Sequence, residues 1–84
     1  MALDLELLTR RGCHLCEDAI ALLRVGGWRP AEVDIDLDLA LLAEFDHRVP
    51  VLRRSSTGEI IAEGVIGDEV LRRLADCWSP GPDA

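Results

Sequence analysis

The chain has 84 residues, of which 49 % are hydrophobic and 30 % are charged, and its formal net charge is −7. This length allows one domain with a modest core, and this composition favours a soluble globular chain over a disordered one. The negative charge argues against a nucleic-acid partner or an anionic membrane surface. Because only two Trp and one Phe are present, we expect a mainly aliphatic core.

Neither a membrane span nor a secretion signal is recognisable in the sequence. No stretch is long and apolar enough to cross a bilayer, and Asp4 and Glu6 interrupt any apolar signal region. Three cysteines are too few for a secreted domain stapled by disulfides. We therefore expect a cytoplasmic monomer, in which a close cysteine pair is catalytic or metal-binding rather than structural.

The first quarter of the chain predicts a strand followed by a helix. Residues 3–8 alternate as in a strand, and apolar residues at helical spacing predict a helix over residues 13–25. Gly12 relieves steric limits at the junction, and Gly26-Gly27 is a usual helix stop. The two acidic residues of this strand are expected near its open end.

The middle of the chain predicts a second strand and a short helix. Residues 32–37 alternate strictly, which indicates an edge strand with one wet face. This alternation explains Asp34 and Asp36 more simply than a cation site does. Asp38 is a candidate cap for a helix over residues 39–45.

The last part of the chain predicts a hairpin and a helix. Residues 49–53 and 59–62 have strand character and are joined by a turn cluster. A final helix begins at Gly67-Asp68, with Asp68 as its candidate cap. Residues 79–84 lack periodicity and are expected to be a flexible tail.

Together these elements predict an α/β fold with the order βαβαββα. The first two strands, joined through a helix, should be parallel with a right-handed crossover, and the final two should be antiparallel. We therefore predict a single domain over residues 1–78, built as a four-stranded mixed sheet flanked by three helices.

Cys13 and Cys16 stand where the first predicted strand gives way to the first helix. Cys13 falls at the helix N-terminus, where unpaired N–H groups and the helix dipole favour a thiolate. Its pKa is therefore expected below the ordinary value of about 8.5. Cys16 lies about one turn further on, where its sulfur can reach Cys13. A thiolate beside a second thiol is suited to thiol–disulfide exchange.

Two other interpretations of this pair remain open. The first is a metal-binding module that adds His14, His47 or Cys77 to the two cysteines, although no second well-spaced Cys/His pair supports zinc. The second is a redox-silent interaction domain. We expect His47 to be a solvated helix-end residue, and Cys77 to be a small buried hydrophobe.

Charged residues next to the cysteines are candidates for substrate binding. Arg10 and Arg11 precede Gly12 and can attract an acidic substrate. His14 either stabilises the Cys13 thiolate or is an exposed residue at the helix start.

The element order, with a Cys-x-x-Cys loop after the first strand and Val49-Pro50 opening the third, resembles the thioredoxin superfamily. The size and the early motif resemble glutaredoxins, in particular a group of small bacterial glutaredoxin-like proteins. Their Gly-Cys-His-Leu-Cys-Glu, Asp-Ile-Asp and Arg-Val-Pro-Val-Leu segments are matched at residues 12–17, 34–36 and 48–52. The resemblance covers residues 3–78.

This resemblance implies a thioredoxin-like fold and a thiol–disulfide oxidoreductase in which Cys13 attacks and Cys16 resolves. It implies a cis peptide bond between Val49 and Pro50, which offer a backbone edge to the substrate disulfide. Protein or small-molecule disulfides would be the substrates. Glutathione or a reductase would supply the electrons, and neither a metal ion nor a tightly bound cofactor is needed.

Glutathione carries two carboxylates and needs cationic or backbone donors around the cysteine loop. Arg10, Arg11 and Arg48 could supply the charge, and the Gly67-Asp68 turn could meet its amine. The chain differs from typical glutaredoxins in having His14-Leu15 between the cysteines, where they have Pro-Tyr.

Overall fold

The computed structural model describes residues 4–77 and, at Cys77, the backbone only. Strands β1 to β4 cover Leu5–Thr9, Ala31–Asp34, Val51–Arg54 and Ile60–Glu63, and helices α1 to α3 cover His14–Val25, Leu39–Phe45 and Asp68–Cys77. The predicted order βαβαββα is confirmed. The predicted tail at 79–84 lies outside the described residues. No helix within residues 4–77 is long and apolar enough to cross a membrane.

The four strands form one mixed sheet in the order β2-β1-β3-β4. β1 and β2 are parallel, with Leu7 opposite Glu32, and β1 and β3 are antiparallel, with Leu7 opposite Leu52. β3 and β4 form the predicted antiparallel hairpin. The edge position of β2 is also as predicted.

The second strand is shorter than predicted. The sequence indicated a strand over residues 32–37, but β2 ends at Asp34 and a 3₁₀ turn follows at Ile35–Leu37. The Asp34 carboxylate accepts a hydrogen bond from the backbone N–H of Asp36 at 2.9 Å, which offers the backbone a local alternative to the ladder. The alternation of polar and apolar residues misled the prediction. In a strand Ile35 and Leu37 would lie on the same face, but in the turn Ile35 is buried and Leu37 is exposed.

Asp38 caps α2, as predicted. Its Oδ1 atom accepts hydrogen bonds from the backbone N–H groups of Ala40 at 2.9 Å and Leu41 at 3.2 Å. These bonds satisfy two of the donors that a helix N-terminus leaves unpaired. The end of β2 and the start of α2 are thus both fixed by aspartate side chains.

β1 contributes buried leucines to both faces of the sheet. The cluster on the side of α1 and α3 contains Leu5, Leu7, Ala19, Leu23, Trp28, Leu52, Ile66, Val70 and Leu74. The cluster on the side of α2 contains Leu8, Ile35, Phe45 and Val51. Because successive side chains of a strand point to opposite faces, the adjacent pair Leu7 and Leu8 holds both layers to β1.

Glu6 occupies the central strand without facing solvent at an open end. It lies opposite Arg53 in the register of β1 and β3, and the Arg53 Nε donates a hydrogen bond to its Oε2 at 2.5 Å. Both side chains are partly buried, so the paired charges replace the apolar contact that a central strand normally makes.

Asp4 ties the start of β1 to the turn of the hairpin. Its carboxylate accepts hydrogen bonds from the Ser55 hydroxyl at 2.6 Å and from the Ser56 backbone N–H at 2.7 Å, and also from the Ser56 hydroxyl. These bonds to the ionised form lower the pKa of Asp4 from its ordinary value of 3.8 to about 2.

We predict that Asp4→Asn destabilises the protein at neutral pH, and that this destabilisation disappears in acid. A carboxyl whose pKa is lowered on folding stabilises the folded state above its unfolded pKa and loses that contribution as the pH falls. The difference in free energy of unfolding between wild type and variant should therefore shrink between about pH 4 and pH 2. Urea unfolding at a series of pH values measures it.

Asp76→Asn is the matched control, because Asp76 is an exposed residue of α3 that accepts no comparable set of hydrogen bonds from residues 4–77. A wild-type-minus-variant difference at Asp4 that does not change over this pH range would contradict the prediction.

Candidate functional site

Cys13 and Cys16 form a disulfide at the N-terminus of α1, with their Cα atoms 5.2 Å apart. Cys13 is the N-cap residue and has extended backbone angles, and the helix begins at His14. Gly12 precedes it with a φ of 78°. This left-handed conformation is costly for any residue with a Cβ, so Gly12 lets the chain leave β1 and enter the helix directly at Cys13.

The two cysteines have different surroundings. Cys13 is half-buried at the surface, whereas Cys16 is 2 % exposed and packs inside the domain. The backbone N–H of Cys16 points at the Cys13 sulfur, with N and Sγ 3.1 Å apart. In the reduced protein such a bond stabilises a thiolate on Cys13, because the donor and the helix dipole both favour negative charge there.

His14 is exposed to solvent at the start of α1. Its side chain is 94 % exposed, and its Nδ1 lies 3.9 Å from the Oε1 of Glu17 one turn along the helix. Of the two interpretations of His14, the structure therefore places it as an exposed helix-start residue. Leu15, the other residue between the cysteines, is 45 % exposed.

The Val49–Pro50 peptide bond is cis, as the resemblance implied. Pro50 is fully buried and directly precedes β3. Because Leu8 is opposite Val51, this bond lies beside the end of β1 that leads into the cysteine loop. The carbonyl of Pro50 accepts a hydrogen bond from the N–H of Gly64 at 2.9 Å, which brings the end of β4 to the same place.

Three loops therefore meet at one end of the sheet. They are residues 10–13 after β1, residues 48–50 before β3 and residues 64–67 after β4, and we refer to them together as the cysteine edge. Gly67 and Asp68 lie at its far side. The helix starts at Asp68 itself, so the position before the helix belongs to Gly67, one residue earlier than the predicted cap.

Arg48 is engaged by acidic residues of its own chain. Its Nε and Nη2 donate to the two carboxylate oxygens of Glu63 at 2.9 Å and 3.0 Å, and Glu44 lies 4.0 Å away. The guanidinium also stacks over Phe45, 4.8 Å from the ring centroid. The Glu63 bond lowers the pKa of that carboxyl and raises the pKa of Arg48. The N–H groups of Arg48 that could donate to a substrate carboxylate are thus already bonded to Glu63.

Arg10 is engaged in the same way. It forms ion pairs with Asp36, at 3.0 Å, and with Asp46, and its Nη1 also faces the Asp46 carbonyl at 3.5 Å. The bond to Asp36 and the attraction of both carboxylates raise its pKa. These contacts fasten the cysteine loop to the 3₁₀ turn and to the end of α2.

Sequence reasoning identified both arginines but missed their partners. The Glu44–Arg48 contact has helical i, i+4 spacing and was recognisable from the sequence. Glu63 and Asp36 are 15 and 26 residues from their arginines, so only the sheet and the 3₁₀ turn bring them together.

Among the described side chains, His14 and His47 do not join Cys13 and Cys16 in a set of three or more metal ligands. Within residues 4–77, no group of three or more His, Cys, Asp or Glu side chains is placed to hold a metal ion. His47 is 93 % exposed and lies 3.5 Å from Asp46, in agreement with a solvated helix-end residue. The predictions for the side chain of Cys77 fall outside the described residues.

Comparison with known proteins adds sequence and structural relatives. Residues 4–75 match the family model described as a glutaredoxin-like domain (DUF836). The X-ray structure of target protein XcR50 from X. campestris is 33 % identical, with a TM-score of 0.73, over 88 % of this chain and 97 % of that one. The solution structure of the same target is 31 % identical, with a TM-score of 0.73, over 94 % and 100 %.

A further similar structure is the solution NMR structure of protein Ne2328 from Nitrosomonas europaea. It is 31 % identical, with a TM-score of 0.70, over 84 % of this chain and 88 % of that one. Among curated proteins, none matches the chain.

The four-stranded mixed sheet with three helices is a thioredoxin-like fold, and the Cys13–Cys16 pair lies at the start of its first helix. By its sequence from residue 4 to residue 75 and by its fold, the chain belongs to the glutaredoxin-like family.

Proposed function

We propose that the protein is a thiol–disulfide oxidoreductase, with Cys13 as the attacking thiol and Cys16 as the resolving thiol. The asymmetry of the two cysteines carries this proposal. Cys13 is half-buried and its sulfur accepts an N–H bond at the positive end of α1, whereas Cys16 is buried. An attacking sulfur needs thiolate character and access, and a resolving sulfur needs only to reach the first one.

The reaction consists of two exchange steps. The Cys13 thiolate attacks one sulfur of the substrate disulfide, so a mixed disulfide forms and the first substrate thiolate leaves and takes up a proton. The Cys16 thiol then loses its proton and attacks the Cys13 sulfur, which releases the second substrate thiol. The substrate gains two electrons, and the protein becomes the disulfide seen in the structure.

Residues Val49 and Pro50 are proposed to hold the substrate chain. The carbonyl of Pro50 accepts a hydrogen bond from the N–H of Gly64. The backbone N–H and carbonyl of Val49 have no hydrogen-bond partner among residues 4–77. Free backbone groups at the start of a strand can pair with an extended segment of a substrate. This supports the family role of an edge beside the cysteines.

Two thiol systems could return the protein to its reduced form. We propose glutathione, two molecules of which would reduce the Cys13–Cys16 disulfide and leave as glutathione disulfide. A thioredoxin-reductase-type enzyme is the rival source. Glutathione is favoured by membership of a glutaredoxin-like family, and the proposed cytoplasmic location would supply it.

Alkylation of the reduced protein tests the assignment of the two cysteines. In a Cys77→Ser background, limiting iodoacetamide near pH 7 should modify Cys13 about tenfold or more faster than Cys16, because only the former is an accessible thiolate. Peptide mass spectrometry measures the two rates, and their dependence on pH tests the predicted low pKa of Cys13. Faster modification of Cys16 would reverse the assignment.

Removal of the resolving thiol should trap the intermediate. We expect Cys16→Ser, in the same Cys77→Ser background, to accumulate one mixed disulfide per molecule on Cys13 when it is treated with bis(2-hydroxyethyl) disulfide. Intact-mass measurement detects the adduct. The matched variant Cys13→Ser should not accumulate it, because the remaining thiol is buried. Absence of an adduct in Cys16→Ser would favour the redox-silent interpretation.

Turnover with each reducing system identifies the electron source. With bis(2-hydroxyethyl) disulfide as substrate, we expect weak turnover with glutathione, glutathione reductase and NADPH, and its loss in Cys13→Ser. NADPH consumption at 340 nm is the measurement. Turnover with thioredoxin reductase and none with glutathione would refute the glutathione assignment and leave the dithiol mechanism intact.

A further inference from the structure

The cysteine edge contains few charges that are free to meet a substrate. Arg10 pairs with Asp36 and Asp46, and Arg48 pairs with Glu63 and has Glu44 nearby. Each cluster holds one guanidinium and two carboxylates. Neither cluster therefore presents net positive charge, although sequence position alone made both arginines candidates for binding an acidic substrate.

Arg11 is different from these two arginines. It lies in the turn after β1, its side chain is exposed, and it makes no ion pair or hydrogen bond with any of residues 4–77. Only Gly12 separates it from Cys13, so the two Cα atoms are at most about 7.6 Å apart. The carboxylates near this loop, those of Asp36 and Asp46, are already held by Arg10.

The other titratable groups at this end of α1 do not compensate Arg11. His14 is directed to solvent and lies near Glu17, one turn along the helix. Among the described residues of the cysteine loop, Arg11 is thus the one permanent cation left for a ligand. Because each neighbouring cluster holds one more carboxylate than guanidinium, the attraction of Arg11 for a bound anion is local and should act over a few ångströms.

We propose that Arg11 is the specificity-determining residue of this site, and that it selects disulfides with a carboxylate a few bonds from the reacting sulfur. The inference rests on the proposed exchange reaction and names its substrate class. The substrate carboxylate would lie against the Arg11 guanidinium while Cys13 attacks the neighbouring sulfur. Arg10 and Arg48 instead position the loops and make no contact with the carboxylate.

The experiment compares three small disulfides of similar size and different charge. They are 3,3′-dithiodipropionate, which is dianionic, bis(2-hydroxyethyl) disulfide, which is neutral, and cystamine, which is dicationic. The reduced protein is mixed with each at pH 8, and release of substrate thiol gives a second-order rate constant. The readout is the rate constant for the anionic disulfide divided by the rate constant for the neutral disulfide. A general disturbance of the fold lowers both rate constants and leaves this ratio unchanged.

In Arg11→Gln this ratio should fall by about two- to fivefold, the range expected for one exposed charge pair. The rate constant for cystamine divided by that for bis(2-hydroxyethyl) disulfide should rise. Arg11→Lys should retain most of the wild-type preference. In 1 M salt, where the Debye length is about 3 Å, the difference between wild type and Arg11→Gln should largely vanish.

Two further variants keep the inference falsifiable. Arg29→Gln makes the same change in net charge in the loop before β2, at the opposite end of the sheet, and should leave the ratio unchanged. Arg10→Lys keeps the positive charge beside Asp36 and Asp46 and should change the three rate constants by a common factor. An equal fall in the ratio for Arg29→Gln or Arg10→Lys, or none for Arg11→Gln, would overturn the role of Arg11. If wild type reacts with none of the three disulfides, the proposed function itself fails.

Discussion

The structure depends on the burial of β1, the strand with neighbours on both sides and a core cluster on each face. Leu5, Leu7 and Leu8 are each 1 % exposed or less. Full burial of such a side chain contributes about 1.5–3 kcal/mol, so these three contacts outweigh any surface interaction in the domain. Because β1 is fixed in this way, the point where its chain leaves the sheet is fixed too. That point is the turn at Gly12, and the start of α1 and the position of Cys13 follow from it.

The burial of β1 also places the cysteine pair and the Val49–Pro50 segment at the same end of the molecule. Parallel pairing places the end of β2 beside the end of β1, and antiparallel pairing places the start of β3 there as well. The cis Val49–Pro50 bond and the surface cysteine are therefore neighbours, although they are distant in sequence. The helix N-terminus supplies the local field, since its free N–H groups favour a negative sulfur. Neither the sheet nor the helix would suffice alone, because one provides position and the other provides reactivity.

The ion pairs around this end organise the loops and stabilise the fold little. The side chains of Arg48 and Glu63 are 37 % and 40 % exposed, and exposed pairs typically contribute about 0–1 kcal/mol. Their importance is that they make certain charged side chains unavailable to a ligand. Arg10 and Arg48 look like anion-binding residues in the sequence, but folding supplies each with its own carboxylates. The Arg48–Glu63 pair also links the loop before β3 to the end of β4. The hydrogen bond from the N–H of Gly64 to the carbonyl of Pro50 joins the same two segments.

The sequence by itself determined the element order, the sheet type, the edge position of β2, the Asp38 cap and the cysteine pair. These features follow from local periodicity, turn residues and short spacings, which act within a few residues of the chain. It did not determine that Ile35–Leu37 leaves the sheet, because these residues continue the polar and apolar alternation of a strand, although only Ile35 is buried in the 3₁₀ turn. Only the tertiary structure decided that Glu6 is neutralised by Arg53, that Arg10 and Arg48 are occupied, and that Arg11 is free among residues 4–77. The physical reason is that charge pairing acts through space, so partners such as Glu6 and Arg53, 47 residues apart, meet only once the sheet sets their register.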